Sequence, residues 1–318
     1  MMVPAMSKRV QISIAFAVVY VVWGSTYVAI RYAAQLLHPA LISGLRYVIA
    51  ASVLMCYLLV RGRTVRLPRR QLLQAGALGF LVFSVNTTLV NYGGKILSAG
   101  VVALFLSTIP LFIAVLEAFL PGGSNIRGFG WLGISTGFVG LVMLTSRSVH
   151  GQPLTGPSWL ACGALIIASL AWAIGSILSK RIMLKASPLV LSCWQMLIAG
   201  CINLVVGVAC GGVQSSHWTR GAWMATLYLA FFGSVATYTS YLFLLRHVRI
   251  SAVATYAYVN PVVAVLLGWL ILQERLHGVE WAGMAIVLVS VALVITSKPA
   301  NVKPAHKDRL PARVLVDS

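Results

Sequence analysis

The side chains that could bind or move a charged solute are few enough to name. Of 318 residues, five are Asp or Glu, 24 are Lys or Arg and six are His. Arg46 is the most informative. It lies about seven residues inside an apolar stretch, too deep for its guanidinium to snorkel comfortably to water. It therefore needs a water-filled vestibule, a backbone carbonyl or an anionic ligand, and its planar fork suits a carboxylate. Either a place on a substrate path or a structural tie between helices meets that need. Glu117, near one end of the fourth apolar stretch, reads as a partner for a cation such as Arg127, or as an exposed rim, before it reads as a proton relay. The histidines His38, His150, His217, His247, His277 and His306 fall in connections or at stretch ends, so no metal set, catalytic cluster or cofactor is expected. The five cysteines sit in apolar stretches without Cys-x-x-Cys spacing and read as packing residues. The sequence has no Gly-x-x-x-x-Gly-Lys-Ser/Thr loop, which disfavours ATP-driven pumping within this chain.

Polar and aromatic residues at helical spacing extend the candidate site. Trp23, Tyr27 and Arg31 fall at i, i+4 and i+8 on one face, and Trp172, Ser176 and Lys180 repeat that spacing 149 residues later. Ser84, Thr87, Thr88 and Asn91 share a face, as do Ser234, Tyr238 and Tyr241. Ser107 and Thr108 precede Pro110, and Tyr256, Tyr258 and Asn260 precede Pro261. The expected substrate-binding set is Trp23, Tyr27, Arg46, Thr87, Asn91, Ser107, Trp172, Ser176, Tyr238, Tyr258 and Asn260, with Pro110 and Pro261 as hinges. Each has a plainer reading beside it: a membrane Ser or Thr commonly bonds a neighbouring helix, and Arg31 and Lys180 are near enough to a surface to snorkel.

The elements that carry these residues follow from composition. Hydrophobic residues make up 59% of the chain and charged ones 9%, against about a quarter charged in an ordinary soluble domain. Apolar stretches fall at 12–32, 40–60, 72–92, 99–120, 128–146, 158–180, 189–210, 222–244, 250–272 and 279–297. At about 20 residues per crossing, these are ten transmembrane helices, and what remains is too short for a soluble catalytic domain. The first stretch carries Ser25, Thr26 and Arg31 and lacks a small-x-small cleavage site, so it reads as a helix and not as a leader.

The net charge of +19 sits in short runs between apolar stretches, which excludes a nucleic-acid surface. With the N-terminus in the cytoplasm, 18 Lys and Arg fall on the cytoplasmic side, in tails and in connections such as 61–70, and five on the other: Arg31, Lys95, Arg147, Arg220 and Arg275. The positive-inside rule then puts both termini in the cytoplasm of a cell (inner) membrane, with anionic lipids as neighbours.

The chain also matches itself at an offset near 150. Trp23 falls on Trp172 and Ser43 on Ser192 at offset 149; Ala103 falls on Ala254 and Pro110 on Pro261 at 151; Trp131 falls on Trp281 at 150. Each copy holds five crossings, an odd number, so the second enters the membrane from the opposite face. Inverted repeats of this kind are a plan of secondary transporters, with the substrate near the midplane between them. The expected organisation is a cytoplasmic tail at 1–11, a repeat at 12–146, an external linker at 147–157, a repeat at 158–297 and a basic tail at 298–318. Gly133, Gly137 and Gly140, and Gly200, Asn203 and Gly207, form small-residue faces that suit internal packing or a homodimer, internal packing being preferred.

These residues resemble the drug/metabolite transporter superfamily in its EamA-type branch of ten-helix exporters. The resemblance covers about 12–297. It rests on Trp23-Gly24-Ser25-Thr26 with Ala29-Ile30-Arg31, on Arg46 and Ala50, and on Ser251-Ala252 leading to Asn260-Pro261, Gly268 and Glu274. One departure is that the acid thirteen residues after Pro261, Glu274, has no counterpart after Pro110, where Gly123 stands. The resemblance implies export of a small-molecule substrate such as an amino acid or a drug-like compound by alternating access. An intramembrane lipid-modifying enzyme and a passive channel are the alternatives.

Overall fold

The computed structural model describes residues 7–121, 128–145, 156–181, 187–248, 253, 255–274 and 278–297. Residues 1–6, 147–155 and 298–318 of the expected tails and linker, Ser251, Ala252, and the side chains of Tyr258 and Lys180 lie outside the described residues. Ten long helices make up the described chain: α1 (Lys8–Leu36), α2 (Pro39–Val60), α3 (Arg69–Ile96), α4 (Ala99–Phe119), α5 (Gly128–Thr145), α6 (Gly156–Arg181), α7 (Pro188–Ala209), α8 (residues 220–247), α9 (Tyr256–Leu272) and α10 (Gly278–Ser297). Seven of them are each long and apolar enough to cross a membrane, and α9 and α10 carry shorter apolar cores, Val259–Leu272 and Trp281–Leu293. The protein is an all-α polytopic membrane protein built of two inverted five-helix repeats, α1–α5 and α6–α10.

Local chemistry repeats with the fold. Pro39 and Pro188 open α2 and α7 at the position where a missing N–H costs nothing. Gly62 and Gly211 stop the same two helices with φ of 63° and 68°, the left-handed conformation that spares glycine a steric clash. Both pairs are 149 residues apart, the offset of the tryptophans. Where no proline starts a helix, a hydroxyl caps it: Ser98 Oγ accepts from the Val101 N–H at 3.4 Å in α4, and Thr219 Oγ1 from the Ala222 N–H at 3.1 Å in α8.

Two-residue connections such as Leu37–His38 and Leu97–Ser98 force successive helices antiparallel. One end of the bundle, here the terminal end, holds the start of α1 and the finish of α10; the other is the far end. Helix α2 packs on α7 and α5 on α10. Glycines make both contacts close. A Cβ on Gly200 would lie 2.8 Å from the Val48 nitrogen, and one on Gly140 would lie 2.9 Å from Ile286. The small-residue faces of α5 and α7 are thus occupied inside the chain.

The two ends differ. At the far end one apolar cluster joins six helices, with Ile30 and Ala33 of α1, Ile42 of α2, Val90 of α3, Val101 of α4, Cys162 of α6 and Ala222 of α8. Toward the terminal end the packing divides into three clusters, one with Ala15, Val19 and Leu244, one with Leu54, Leu58, Val190 and Cys193, and one with Ala114, Ile134 and Ala257.

Candidate functional site

Three helices change pitch near their midpoints. Val18–Val22 of α1, Phe80–Val85 of α3 and Leu229–Ala236 of α8 are π-helical. A π turn misaligns backbone carbonyls with their helical donors, so a side chain from elsewhere can claim them. In each segment one does. The amide of Asn260 in α9 faces the carbonyls of Val19 and Tyr20, two acceptors that assign its nitrogen to that side, at 3.2 and 3.1 Å. Asn203 of α7 donates to Phe83 O at 3.4 Å, and Arg46 of α2 donates through Nη2 to Gly233 O at 3.1 Å. Arg46 Nε also donates to Ser234 Oγ at 2.7 Å, and that hydroxyl donates back to Leu229 O at 3.1 Å. The guanidinium is therefore both a tie between repeats and, at 5% exposure, a charge held deep in the bundle.

These segments wall a central cavity of about 70 Å³, room for roughly five waters at ~10–15 Å³ each. Helix α1 contributes Trp23, Thr26, Tyr27 and Ile30, and α3 contributes Phe83, Asn86, Thr87 and Val90. Arg46 and Tyr47 of α2, Trp172 of α6, Met196 of α7, Gly233, Ser234 and Tyr238 of α8, and Tyr256 and Asn260 of α9 add to it. Of the sequence-derived set, Trp23, Tyr27, Arg46, Thr87, Trp172, Tyr238 and Asn260 come together here. Trp23 and Trp172, matched across the repeats, meet edge to face with ring centroids 6.0 Å apart. Trp23 also stacks on Tyr256 at 5.1 Å, and Tyr241 closes the cluster against both.

The remaining residues of that set stand elsewhere. Asn91 donates to Pro39 O and Ser43 Oγ, at 3.1 and 2.9 Å, in a buried network with Ser84, Thr88 and Asn203 that ties α3 to α2 and α7. Ser107 donates to Leu104 O and Ser176 to Trp172 O, each within its own helix. The side chain of Tyr258 lies outside the described residues. Pro110 sits at a break in α4: the helix is interrupted at Thr108, and the Phe105 carbonyl accepts from Thr108 Oγ1 at 2.6 Å and Ser169 Oγ at 3.2 Å. Pro261 lies within continuous α9.

Thr26, Tyr47, Asn86 and Met196 reach the cavity although none of them was in the expected substrate-binding set. The signal for two of them was present. On both α1 and α3 the cavity stripe runs i, i+3, i+4, i+7, as 23, 26, 27, 30 and 83, 86, 87, 90, the width of a normal helix face. On α3 the stripe lies one residue before the polar run 84, 87, 88, 91. Chemically, the cavity pairs one fixed cation with neutral donors and acceptors and an aromatic wall. Asn86 spends its amide on Ala168 O at 2.8 Å, and Thr87 shares a hydrogen bond with Tyr47 at 2.8 Å.

Comparison with known proteins agrees with this architecture. The EamA-like transporter family matches residues 11–146 and again 159–296. The chain is 33% identical over 280 residues to the Escherichia coli (strain K12) protein named "Uncharacterized inner membrane transporter YedA", covering 88% of this chain and 89% of that one. It is 27% identical over 282 residues to the "Probable amino-acid metabolite efflux pump" of the same strain, with 86% and 91% covered. A solved structure titled "Crystal structure of protein" superposes with a TM-score of 0.64 at 18% identity, covering 90% of this chain and 96% of that one; that likeness concerns the fold alone.

Proposed function

The chain belongs to the EamA-like transporter family, and from that premise we propose that it is a secondary transporter of the inner membrane that exports small metabolites, amino acids or related amphipathic compounds among them, by alternating access. The observation that carries this reading is the cavity: it lies between the two repeats near the midpoints of the helices that wall it, where inverted-repeat transporters hold their substrate. The unequal ends support one of the two access states, with the far end sealed by a single apolar cluster and the terminal end divided. With the termini in the cytoplasm, as the charge distribution argues, this state admits substrate from inside. The relatives' names, an inner membrane transporter and a probable amino-acid metabolite efflux pump, support the same class. The chain then works without chemical turnover and with anionic lipids at its cytoplasmic face.

Counterflow in reconstituted vesicles tests this. Vesicles loaded with a panel of unlabelled metabolites should take up the matching labelled compound transiently above equilibrium, and Trp172→Ala should depress that uptake while the folded yield stays near normal. A carrier gives the overshoot and a channel cannot; flux without overshoot, or no flux for any compound, would overturn the reading.

A further inference from the structure

Arg46 is anchored on one side only. Nε and Nη2 are held by Ser234 Oγ and the Gly233 carbonyl, whereas Nη1 has no partner among the described residues, on a side chain that lines the cavity. Its position is fixed further by the Tyr47 ring, 5.1 Å from Cζ. The π turn of α8 thus acts as a positioning device: it supplies the carbonyl and the hydroxyl that aim the free edge of the guanidinium into the site.

The rest of the wall offers that cation no counter-charge. Among the described residues no Asp, Glu or His lines the cavity, and Arg46 is its one charged side chain. A buried cation with neutral partners is costly, and a ligand's negative charge offsets that cost. A cationic ligand would add repulsion instead. The aromatic cluster does not relieve a cation either, since Trp23 is stacked on Tyr256 at 5.1 Å with 22° between the rings; a cage for an ammonium needs open ring faces around a gap. The rest of the wall is neutral polar groups, aromatic rings and apolar side chains, which suit an uncharged body.

We propose that the cavity takes an organic monoanion, with a carboxylate on the free edge of Arg46 and a compact aromatic or apolar body against Trp23 and Trp172. This rests on the transport reading and narrows its substrates from small metabolites at large to carboxylates, those without an ammonium group being preferred. One guanidinium matches one carboxylate; a phosphate ester, with up to two charges, would leave charge unmet. Ser234 is a positioning residue, acting through Arg46.

Binding to the purified full chain in detergent, measured by isothermal titration with matched probes, separates the classes. Benzoate should bind at least about tenfold more tightly than benzamide or benzylamine, since a charge-assisted hydrogen bond exceeds a neutral one by roughly that factor. It should also bind more tightly than phenylalanine, whose ammonium adds a second cation to a wall that holds no counter-charge among the described residues. Arg46→Gln should bring benzoate down to the level of benzamide, Arg46→Lys should keep part of the preference, and Ser234→Ala should reduce it with the neutral probes unchanged. Equal or tighter binding of benzylamine or phenylalanine by the unaltered protein would overturn the proposal, whatever the variants do, as would failure of benzoate to bind at millimolar concentration. Because binding is read without flux, a protein that binds benzoate selectively but shows no counterflow would refute the transport reading and leave the anion site standing.

Discussion

Arg31 of α1 and Glu274, just beyond α9, join the two repeats at the far end: Nε lies 3.1 Å from Oε1, with the side chains 18% and 15% exposed. Each also serves a helix end. Arg31 Nη1 donates to the carbonyls of Gly94 and Lys95, at 3.0 and 2.8 Å, where α3 finishes, and Glu274 Oε2 accepts from the Ala99 N–H at 2.9 Å, where α4 begins. Cation on a helix C-terminus and anion on a helix N-terminus are the favourable placements for both charges. The backbone makes room. Gln273 adopts φ of 56°, and a Cβ on Gly268 would lie 2.8 Å from Oε2. The acid that lacks a counterpart in the first repeat is therefore employed at one end of the molecule only.

Glu274→Gln keeps an acceptor for Ala99 but removes the ion pair, and should lower stability by about 1–3 kcal/mol, several degrees of melting temperature at ~2–4 °C per kcal/mol. The exchange Arg31→Glu with Glu274→Arg should not rescue it, because each charge would then face the wrong helix end. A doubly exchanged protein melting at the original temperature would show that the pair alone matters.

Much of this was legible before any coordinates. The offset of 149 carried Trp23 onto Trp172, which touch, and the same offset relates the proline starts and glycine stops of α2 and α7. Arg46 was identifiable because a guanidinium seven residues into an apolar stretch must be answered by water, carbonyl or ligand, and a carbonyl is what Gly233 supplies. The cavity face of α3 was legible only with an error of one residue. The polar run 84, 87, 88 and 91 selects one helix face, whereas the cavity stripe 83, 86, 87 and 90 lies one residue before it on a helix whose Phe80–Val85 segment is π-helical, so Asn86 and Thr87 look inward while Ser84, Thr88 and Asn91 bond α2 and α7. Nothing in composition announces a π turn.

Glycine packing gives a steric test. A Cβ on Gly79 of α3 would lie 2.5 Å from the Gln195 carbonyl oxygen, a backbone atom that cannot yield, whereas one on Gly163 of α6 meets nothing within 4 Å. Gly79→Ala should therefore push α3 from α7 at a cost of about 1–3 kcal/mol, read as a fall in melting temperature in detergent. Gly163→Ala should be neutral or slightly stabilising. Equal melting temperatures for the two variants would contradict the close approach of α3 and α7.

Orientation is testable through charge. Arg61, Arg63 and Arg66 lie exposed in the connection between α2 and α3, at the terminal end. Reporter fusions inserted there and after residue 297 should both read as cytoplasmic, and fusions at 147–155 as external. A connection at 61–68 that reads as external would reverse the access state argued above.

His38, in the connection between α1 and α2, links stability to pH. Its Nδ1 is buried without a partner among the described residues, and its backbone N–H donates to Ser216 Oγ at 2.9 Å. Burial, and next the positive charge of Lys95, lower its pKa from the ordinary 6.5. Protonation would place a second cation near Lys95 and give a buried nitrogen a proton with no acceptor. The sign follows from linkage: the unfolded chain protonates near 6.5 and the folded one only below that, so between the two values the unfolded state binds more protons. Stability from this group is intact above about pH 6.5 and is lost as pH falls toward the folded value. Melting temperatures measured in detergent at pH 7.5 and 5 should therefore show a smaller acid-induced drop for His38→Gln than for the unaltered protein. If the variant drops as far as the unaltered protein, protonation at His38 is not coupled to folding and its burial carries no penalty for the charged form.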